Sequence, residues 1–186
     1  MNARIALLTG RSSFASSALS PAQLSFLHSV APPGTEVIPI GFPFEESTLG
    51  AGYRDVSMIA ASWRNGLQVW WTISSAGFRR QVADRLQFLL DSTGERLILI
   101  TGSCGLQLAN RAWPHLRVRE DLAVDVVALG PACLDPLRMP ATVVQGRRDG
   151  WSRLFYSGPV HHRTPCAHLD YWDSAETRRL VAGLLR

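Results

Sequence analysis

The fold of this chain is decided by residues 97–109, Leu-Ile-Leu-Ile-Thr-Gly-Ser-Cys-Gly-Leu-Gln-Leu-Ala. The four leading aliphatic residues are typical of a strand that is buried on both faces. The apolar residues at the end of the segment resume at helical spacing. Between them, the small residues Thr101, Gly102 and Gly105 allow the backbones of strand and helix to approach closely. The segment therefore predicts a buried strand that turns sharply into a helix.

Ser103 is the candidate nucleophile of this turn. Residues 101–105 read Thr-Gly-Ser-Cys-Gly, which matches the motif Gly-x-Ser-x-Gly except that Thr101 stands in place of the first glycine. A turn of this kind lifts its central side chain above the carboxyl end of the sheet, where a base can reach it. The N–H of Cys104 would lie at the helix N-terminus, where the helix dipole helps it to donate to an oxyanion.

Two other interpretations of the turn stay open. It could be an ordinary strand–helix turn of small residues, of the kind that also binds phosphate groups. Alternatively, Cys104 could be the nucleophile, in the register Gly102-Ser103-Cys104-Gly105-Leu106. That register puts a bulky leucine where the motif has a small residue.

The composition is that of a globular protein and argues against nucleic acid and membrane partners. Of 186 residues, 46% are hydrophobic and 18% are charged, with a net charge of +4. Every basic residue is an arginine, and the arginines are scattered singly or in pairs, so no nucleic-acid footprint is expected. No apolar run approaches the roughly 20 residues of a membrane helix. The N-terminus leads directly into a predicted strand, so we expect no signal peptide.

The three cysteines are Cys104, Cys133 and Cys166. Their odd number and wide spacing predict neither a disulfide framework nor a metal site. We expect a reducing, cytoplasmic location and no metal or other cofactor.

Strand and helix patterns alternate along the chain. Short apolar runs predict strands at 5–8, 35–40, 97–100, 123–130, 141–146 and 160–163. Helices are predicted from Pro21 with Ser20 as N-cap, over 75–92, after the central turn, and after Asp173 as N-cap with Glu176 at the capping-box position. Pro39 places the second strand at an edge of the sheet. The segment 42–72 gives no clear pattern.

This alternation predicts an α/β fold with a mostly parallel six-stranded sheet and helices on both faces. Ligands of such sheets bind beyond the carboxyl ends of the strands. Three polar groups follow strands and should meet at that edge: the 9–11 turn, Ser103 and Asp149. His168, in the loop before the last helix, should join them.

Asp149 and His168 are the candidate acid and base that would accompany Ser103. Asp149 ends the sequence Gly-Arg-Arg-Asp after the fifth predicted strand, and His168 precedes the last helix. Asp135, which follows the fourth strand, is an alternative acid. His161 and His162 compete as the base, although they lie within the presumed sixth strand.

The order nucleophile, acid, histidine resembles that of the α/β-hydrolases. The resemblance spans nearly the whole chain and implies a Ser103–His168–Asp149 triad. It also implies an oxyanion hole formed by the N–H groups of Cys104 and Arg11, although Thr9 replaces the histidine that the family often has there. It implies one domain over 1–186 that lacks the first two strands and the cap of larger members.

The function that this resemblance implies is hydrolysis of an ester or thioester through an acyl-enzyme. The substrate would be a small molecule or a carrier-bound acyl group, and the residues that bind it stay undefined. The alternative is a non-hydrolytic protein of the same fold, which binds a ligand or partner or catalyses a biosynthetic acyl transfer or cyclisation. An exposed sheet edge would also allow a homo-oligomer.

Overall fold

The computed structural model describes residues 3–10, 16–46 and 74–186. Arg11 and most of the segment 42–72 lie outside these residues, so the predictions made for them stay predictions.

The described strands and helices alternate as the sequence predicts, with two consecutive strands at Ala123–Leu129 and Thr142–Gly146. The structure adds a helix at Gly150–Phe155 that the sequence pattern does not predict. The strands are β1 (Ala3–Leu8), β2 (Glu36–Gly41), β3 (Arg96–Gly102), β4 (Ala123–Leu129), β5 (Thr142–Gly146) and β6 (His162–Thr164). The helices are α1 (Pro21–Val30), α2 (Ala76–Asp91), α3 (Gly105–Ala112), α4 (Gly150–Phe155) and α5 (Ala175–Leu184), and a 3-10 turn at Trp113–His115 follows α3.

The six strands form one sheet in the order β2-β1-β3-β4-β5-β6. Each pair of neighbours is parallel, which confirms the predicted α/β class. β2 lies at one edge, as the proline within it predicts. β3 lies between β1 and β4, so the turn that follows it opens near the middle of the carboxyl edge.

Helices cover both faces of the sheet, and alternate residues of the central strand β3 pack against the helices of opposite faces. Leu97 and Leu99 of β3 pack with the apolar residues of α2 and α3. Ile98 and Ile100 point to the opposite face and pack with those of α1 and α5. Because both faces of β3 are covered, all four of these side chains are at most 3% exposed. This burial is the reason for the uninterrupted aliphatic run.

The predicted N-cap of the first helix is confirmed, and that of the last helix is wrong. Ser20 caps α1, and its side chain and that of Gln23 form a reciprocal capping box. The prediction that Asp173 caps the last helix is wrong by one residue: the N-cap of α5 is Ser174, whose hydroxyl accepts from the Thr177 N–H. Both residue types are good caps, so the pattern alone does not choose between them.

The last strand also begins later than predicted. β6 starts at His162, and His161 lies before it with its Nδ1 accepting a hydrogen bond from the Val143 N–H at 3.0 Å. Within the described ranges, no helix is both long and apolar enough to span a bilayer.

Candidate active site

Ser103 lies at the tip of the turn between β3 and α3, in a backbone conformation that residues other than glycine rarely adopt. Its φ angle is +51°, in the left-handed region. The Ser103 N–H donates to the Leu129 carbonyl at the end of β4, and its own carbonyl accepts from the Ala132 N–H at 2.9 Å. These bonds fix the strained residue to the neighbouring strand, and its side chain stays half-buried at the edge of the sheet.

The turn departs from the usual glycine pattern at its first position. Thr101 is fully buried, and its hydroxyl has no hydrogen-bond partner among the described residues. Gly102, the next residue, packs against the Trp172 ring so closely that a Cβ there would lie 2.9 Å from a ring carbon. The core thus accommodates a threonine side chain at position 101, where the motif has glycine, whereas at position 102 the Trp172 ring leaves no room for a side chain.

His168 connects the side chains of Ser103 and Asp149. Its Nε2 lies 3.1 Å from the Ser103 Oγ, and its Nδ1 lies 3.0 Å and 3.1 Å from the two carboxylate oxygens of Asp149. The three residues come from the turn after β3, the turn after β5 and the loop before α5. The structure thus brings together the three side chains that the sequence singles out, in the order that proton transfer from a serine requires.

The carboxylate of Asp149 is fully buried and accepts further hydrogen bonds. The Ser152 N–H donates to Oδ1 and the Tyr171 hydroxyl donates to Oδ2, each at 2.8 Å. Burial raises the pKa of Asp149, but the hydrogen bonds from His168, Ser152 and Tyr171 outweigh burial and hold the pKa below its usual range. Asp149 is therefore charged at neutral pH.

Tyr171 is the residue that sequence reasoning missed. Its side chain is 2% exposed, and burial, followed by the neighbouring Asp149 carboxylate, raises the pKa of its phenol well above the usual value. The phenol therefore stays protonated and can donate. A tyrosine three residues after the candidate base is a weak signal, because the sequence does not show where the side chain points.

Cys104 is the N-cap residue of α3, next to the candidate nucleophile. Its thiol is buried, and this burial raises the pKa of Cys104 to about 12. A buried neutral thiol is a poor nucleophile, so the geometry favours Ser103 over Cys104. Among the described residues, no backbone carbonyl accepts from the Cys104 N–H. That N–H therefore fits the predicted role of oxyanion donor, whereas the predicted second donor, Arg11, lies outside the described residues.

The alternative acid and one of the two alternative bases are engaged elsewhere. The carboxylate of Asp135 forms an ion pair with Arg111, with Nη2 2.7 Å from Oδ1, and also accepts from Gln107. His161 accepts a hydrogen bond from the Val143 N–H. Asp149, and not Asp135, is thus the carboxylate that contacts His168.

An exposed aromatic ring lies beside His168. The Trp151 ring lies 6.4 Å from the His168 ring, centre to centre, and Trp151 is 48% exposed. Leu169, beside His168, is 60% exposed. In the parts of the chain that the structure describes, no three His, Cys, Asp or Glu side chains are grouped so that they could hold a metal ion.

Comparison with known proteins identifies the fold. No protein-family model matches the chain, and no curated protein sequence matches it significantly. A solved structure that is similar is that of a proposed hydrolase of the alpha/beta superfamily from Xanthomonas campestris pv. campestris. The two chains are 15% identical, with a TM-score of 0.54, and the match covers 99% of this chain and 97% of the other. At this identity the likeness shows the fold alone, and that fold is the one that the predicted resemblance to the α/β-hydrolases implies.

Proposed function

We propose that this protein is a serine hydrolase that cleaves an ester or thioester through an acyl-enzyme. The observation that carries the proposal is the continuous hydrogen-bonded chain from the buried Asp149 carboxylate, through His168, to the half-buried Ser103 hydroxyl. A serine hydroxyl is a weak nucleophile at neutral pH and needs a base that a third group orients. The three side chains meet that requirement.

The reaction would proceed in two steps. In the first, Ser103 Oγ attacks the acyl carbon while His168 Nε2 takes its proton. The leaving alcohol or thiol then receives that proton, and the acyl group remains as an ester on Ser103. In the second, His168 takes a proton from water, the hydroxide attacks the acyl-enzyme, and the acid leaves as Ser103 regains its proton. Asp149 stabilises the imidazolium in both steps.

The oxyanion of each tetrahedral intermediate needs backbone donors. The Cys104 N–H, at the N-terminus of α3, is one proposed donor, and the Arg11 N–H is the other. Removing one such donor typically costs about 2.7–4 kcal/mol of transition-state stabilisation.

The substrate class is proposed from the surface beside His168. The Trp151 ring, 6.4 Å from the ring of His168 and 48% exposed, offers an apolar surface on the base side of the site. The link between β4 and β5, residues 130–141, is short. These features suit a small-molecule ester or a carrier-bound acyl group. Separately, we propose a cytoplasmic location, on the basis of the odd number and wide spacing of the cysteines.

A fluorophosphonate probe tests the proposal, because it reacts covalently with activated serines. Wild-type protein, Ser103→Ala and Cys104→Ala would each be incubated with the probe, and the modified residue read by mass spectrometry. We expect labelling on Ser103 in the wild type and in Cys104→Ala, and none in Ser103→Ala. Hydrolysis of short-chain esters and thioesters by the same samples should follow the labelling. A folded wild-type protein that neither labels nor hydrolyses would overturn the proposal.

A further inference from the structure

The phenol of Tyr171 lies between a backbone donor and the buried carboxylate of the candidate acid. Its oxygen accepts from the Gly146 N–H at 2.6 Å and its hydroxyl donates to Asp149 Oδ2 at 2.8 Å. Because the Gly146 N–H can only donate, the single proton of the phenol is directed at the carboxylate. The direction of both hydrogen bonds is therefore fixed.

Tyr171 completes the set of donors around Asp149. The Ser152 N–H donates to one carboxylate oxygen and Tyr171 donates to the other, while His168 Nδ1 is almost equidistant from both. With one fixed donor on each oxygen, the carboxylate plane cannot rotate without losing a buried hydrogen bond. This fixed plane holds the imidazole of His168 with its Nδ1 toward Asp149 and its Nε2 toward Ser103.

Two glycines at the carboxyl ends of neighbouring strands make room for this pair. A Cβ on Gly130, where φ is +52°, would lie 2.6 Å from Asp149 Oδ2 and 2.5 Å from a ring carbon of Tyr171. A Cβ on Gly146 would lie 3.0 Å from the Tyr171 hydroxyl and 2.1 Å from the Cys166 carbonyl oxygen. The ends of β4 and β5 are thus shaped around the contact between Tyr171 and Asp149.

The same short loop carries Tyr171 and the candidate base. Asp170 closes this loop, since its carboxylate accepts from the Ala167 N–H at 2.9 Å and its N–H donates to the Ala167 carbonyl. His168 and Tyr171, three residues apart, therefore reach Asp149 from one hydrogen-bonded turn. A shift of Tyr171 would move His168 with it.

We propose that Tyr171 is a positioning residue, whose hydroxyl holds Asp149 in the orientation that aligns His168 with Ser103. This inference rests on the proposed function, because the alignment matters only if His168 acts as the base for Ser103.

Tyr171→Phe tests the inference, with Tyr156→Phe as a matched control. Tyr156 is also buried, at 5% exposure, and its hydroxyl donates to the Pro159 carbonyl, away from the three candidate residues. Both variants lose one buried hydroxyl, so a general loss of stability would affect both. We expect Tyr171→Phe to lower kcat for a model ester roughly tenfold to a hundredfold with KM unchanged. Tyr156→Phe should leave both constants unchanged.

A second variant separates the donor from the shape of the side chain. 4-Aminophenylalanine incorporated at position 171 keeps the ring and an N–H donor toward Asp149, but its nitrogen accepts from the Gly146 N–H only weakly, so we expect it to restore part of the kcat that Tyr171→Phe loses. A folded Tyr171→Phe protein with wild-type kcat would overturn the inference. So would a 4-aminophenylalanine protein no more active than Tyr171→Phe.

A proton NMR measurement keeps the inference testable even if the protein does not hydrolyse esters. The proton shared by His168 Nδ1 and Asp149 should give a low-field signal in the wild type and in Tyr156→Phe. In Tyr171→Phe this signal should shift or broaden, because the carboxylate loses one of its fixed donors. An unchanged signal would overturn the role of Tyr171. Failure of the proposed function would instead appear as absent probe labelling in the wild type.

Discussion

Gly105 at the start of α3 lies directly against the carbonyl of Leu8 at the end of β1. A Cβ on residue 105 would lie 2.0 Å from the Leu8 carbonyl oxygen and 3.1 Å from the Thr9 Cα. This contact brings Thr9, the residue after β1, close to the turn that carries the candidate nucleophile. It also explains the second glycine of the central motif, since no larger residue allows the helix to begin so close to the neighbouring strand.

Gly105→Ala should therefore displace α3 from β1. We expect a loss in the free energy of unfolding on the order of 3 kcal/mol, because the clash is with backbone atoms that cannot move aside alone. The acylation rate of Ser103 should fall as well. Gly183→Ala in α5 is the control: nothing lies within 4 Å of a Cβ there, and replacing a helical glycine should stabilise the protein by roughly 0.5–1 kcal/mol. Urea denaturation of both variants measures the contrast, and equal stabilities would contradict the prediction.

Asp149→Asn should abolish most of the proposed activity while leaving the chain folded. The amide cannot stabilise an imidazolium and favours the wrong tautomer of His168, so we expect the rate of probe labelling on Ser103 to fall roughly 10⁴-fold. Asp135→Asn is the matched control, because it removes a carboxylate that is bound by Arg111 and not by His168. Its labelling rate should stay near that of the wild type. A comparable loss in both variants would indicate that the effect comes from stability and not from the candidate triad.

The stability of the protein should fall in acid partly because of Asp149. The pKa of Asp149 is lower in the folded chain than the ordinary value of 3.8. Its contribution is therefore fully present above that value and is lost as the pH falls through the lower, folded pKa. Denaturation curves at neutral pH and between about pH 4 and 2 would measure this loss. The decline should be shallower in Asp149→Asn than in the wild type, and parallel curves would contradict the prediction.

Cys104 should be inert in the native protein. Its thiol is buried, and its pKa of about 12 leaves it protonated at neutral and mildly alkaline pH. Iodoacetamide at pH 8 should alkylate Cys104 only after denaturation, as mass spectrometry would show. Rapid alkylation of Cys104 in the native protein would contradict this prediction and would favour Cys104 over Ser103 as the nucleophile.

The caps and the candidate site show where sequence reasoning succeeds and where it stops. The strand–turn–helix around Ser103 is predictable because its signals are local: an aliphatic run, small residues and a return to helical spacing. Asp149 and His168 are predictable because parallel strands bring their ends to one edge. The choice of Ser174 over Asp173 as the cap of α5 depends on the path of the preceding loop, which no local pattern gives.

The sequence by itself determined the parallel sheet and the sharp turn at Ser103, because these follow from periodicity and small residues. The candidate roles of Ser103, Asp149 and His168 followed from their order in the chain, which resembles that of the α/β-hydrolases. Only the tertiary structure decided which carboxylate faces His168, since Asp135 and Asp149 both follow strands and differ only in their packed neighbours. It alone revealed Tyr171, because the direction of a buried side chain depends on contacts between residues distant in sequence. The physical reason is the same in both cases: burial leaves a polar group stable only where a specific partner reaches it.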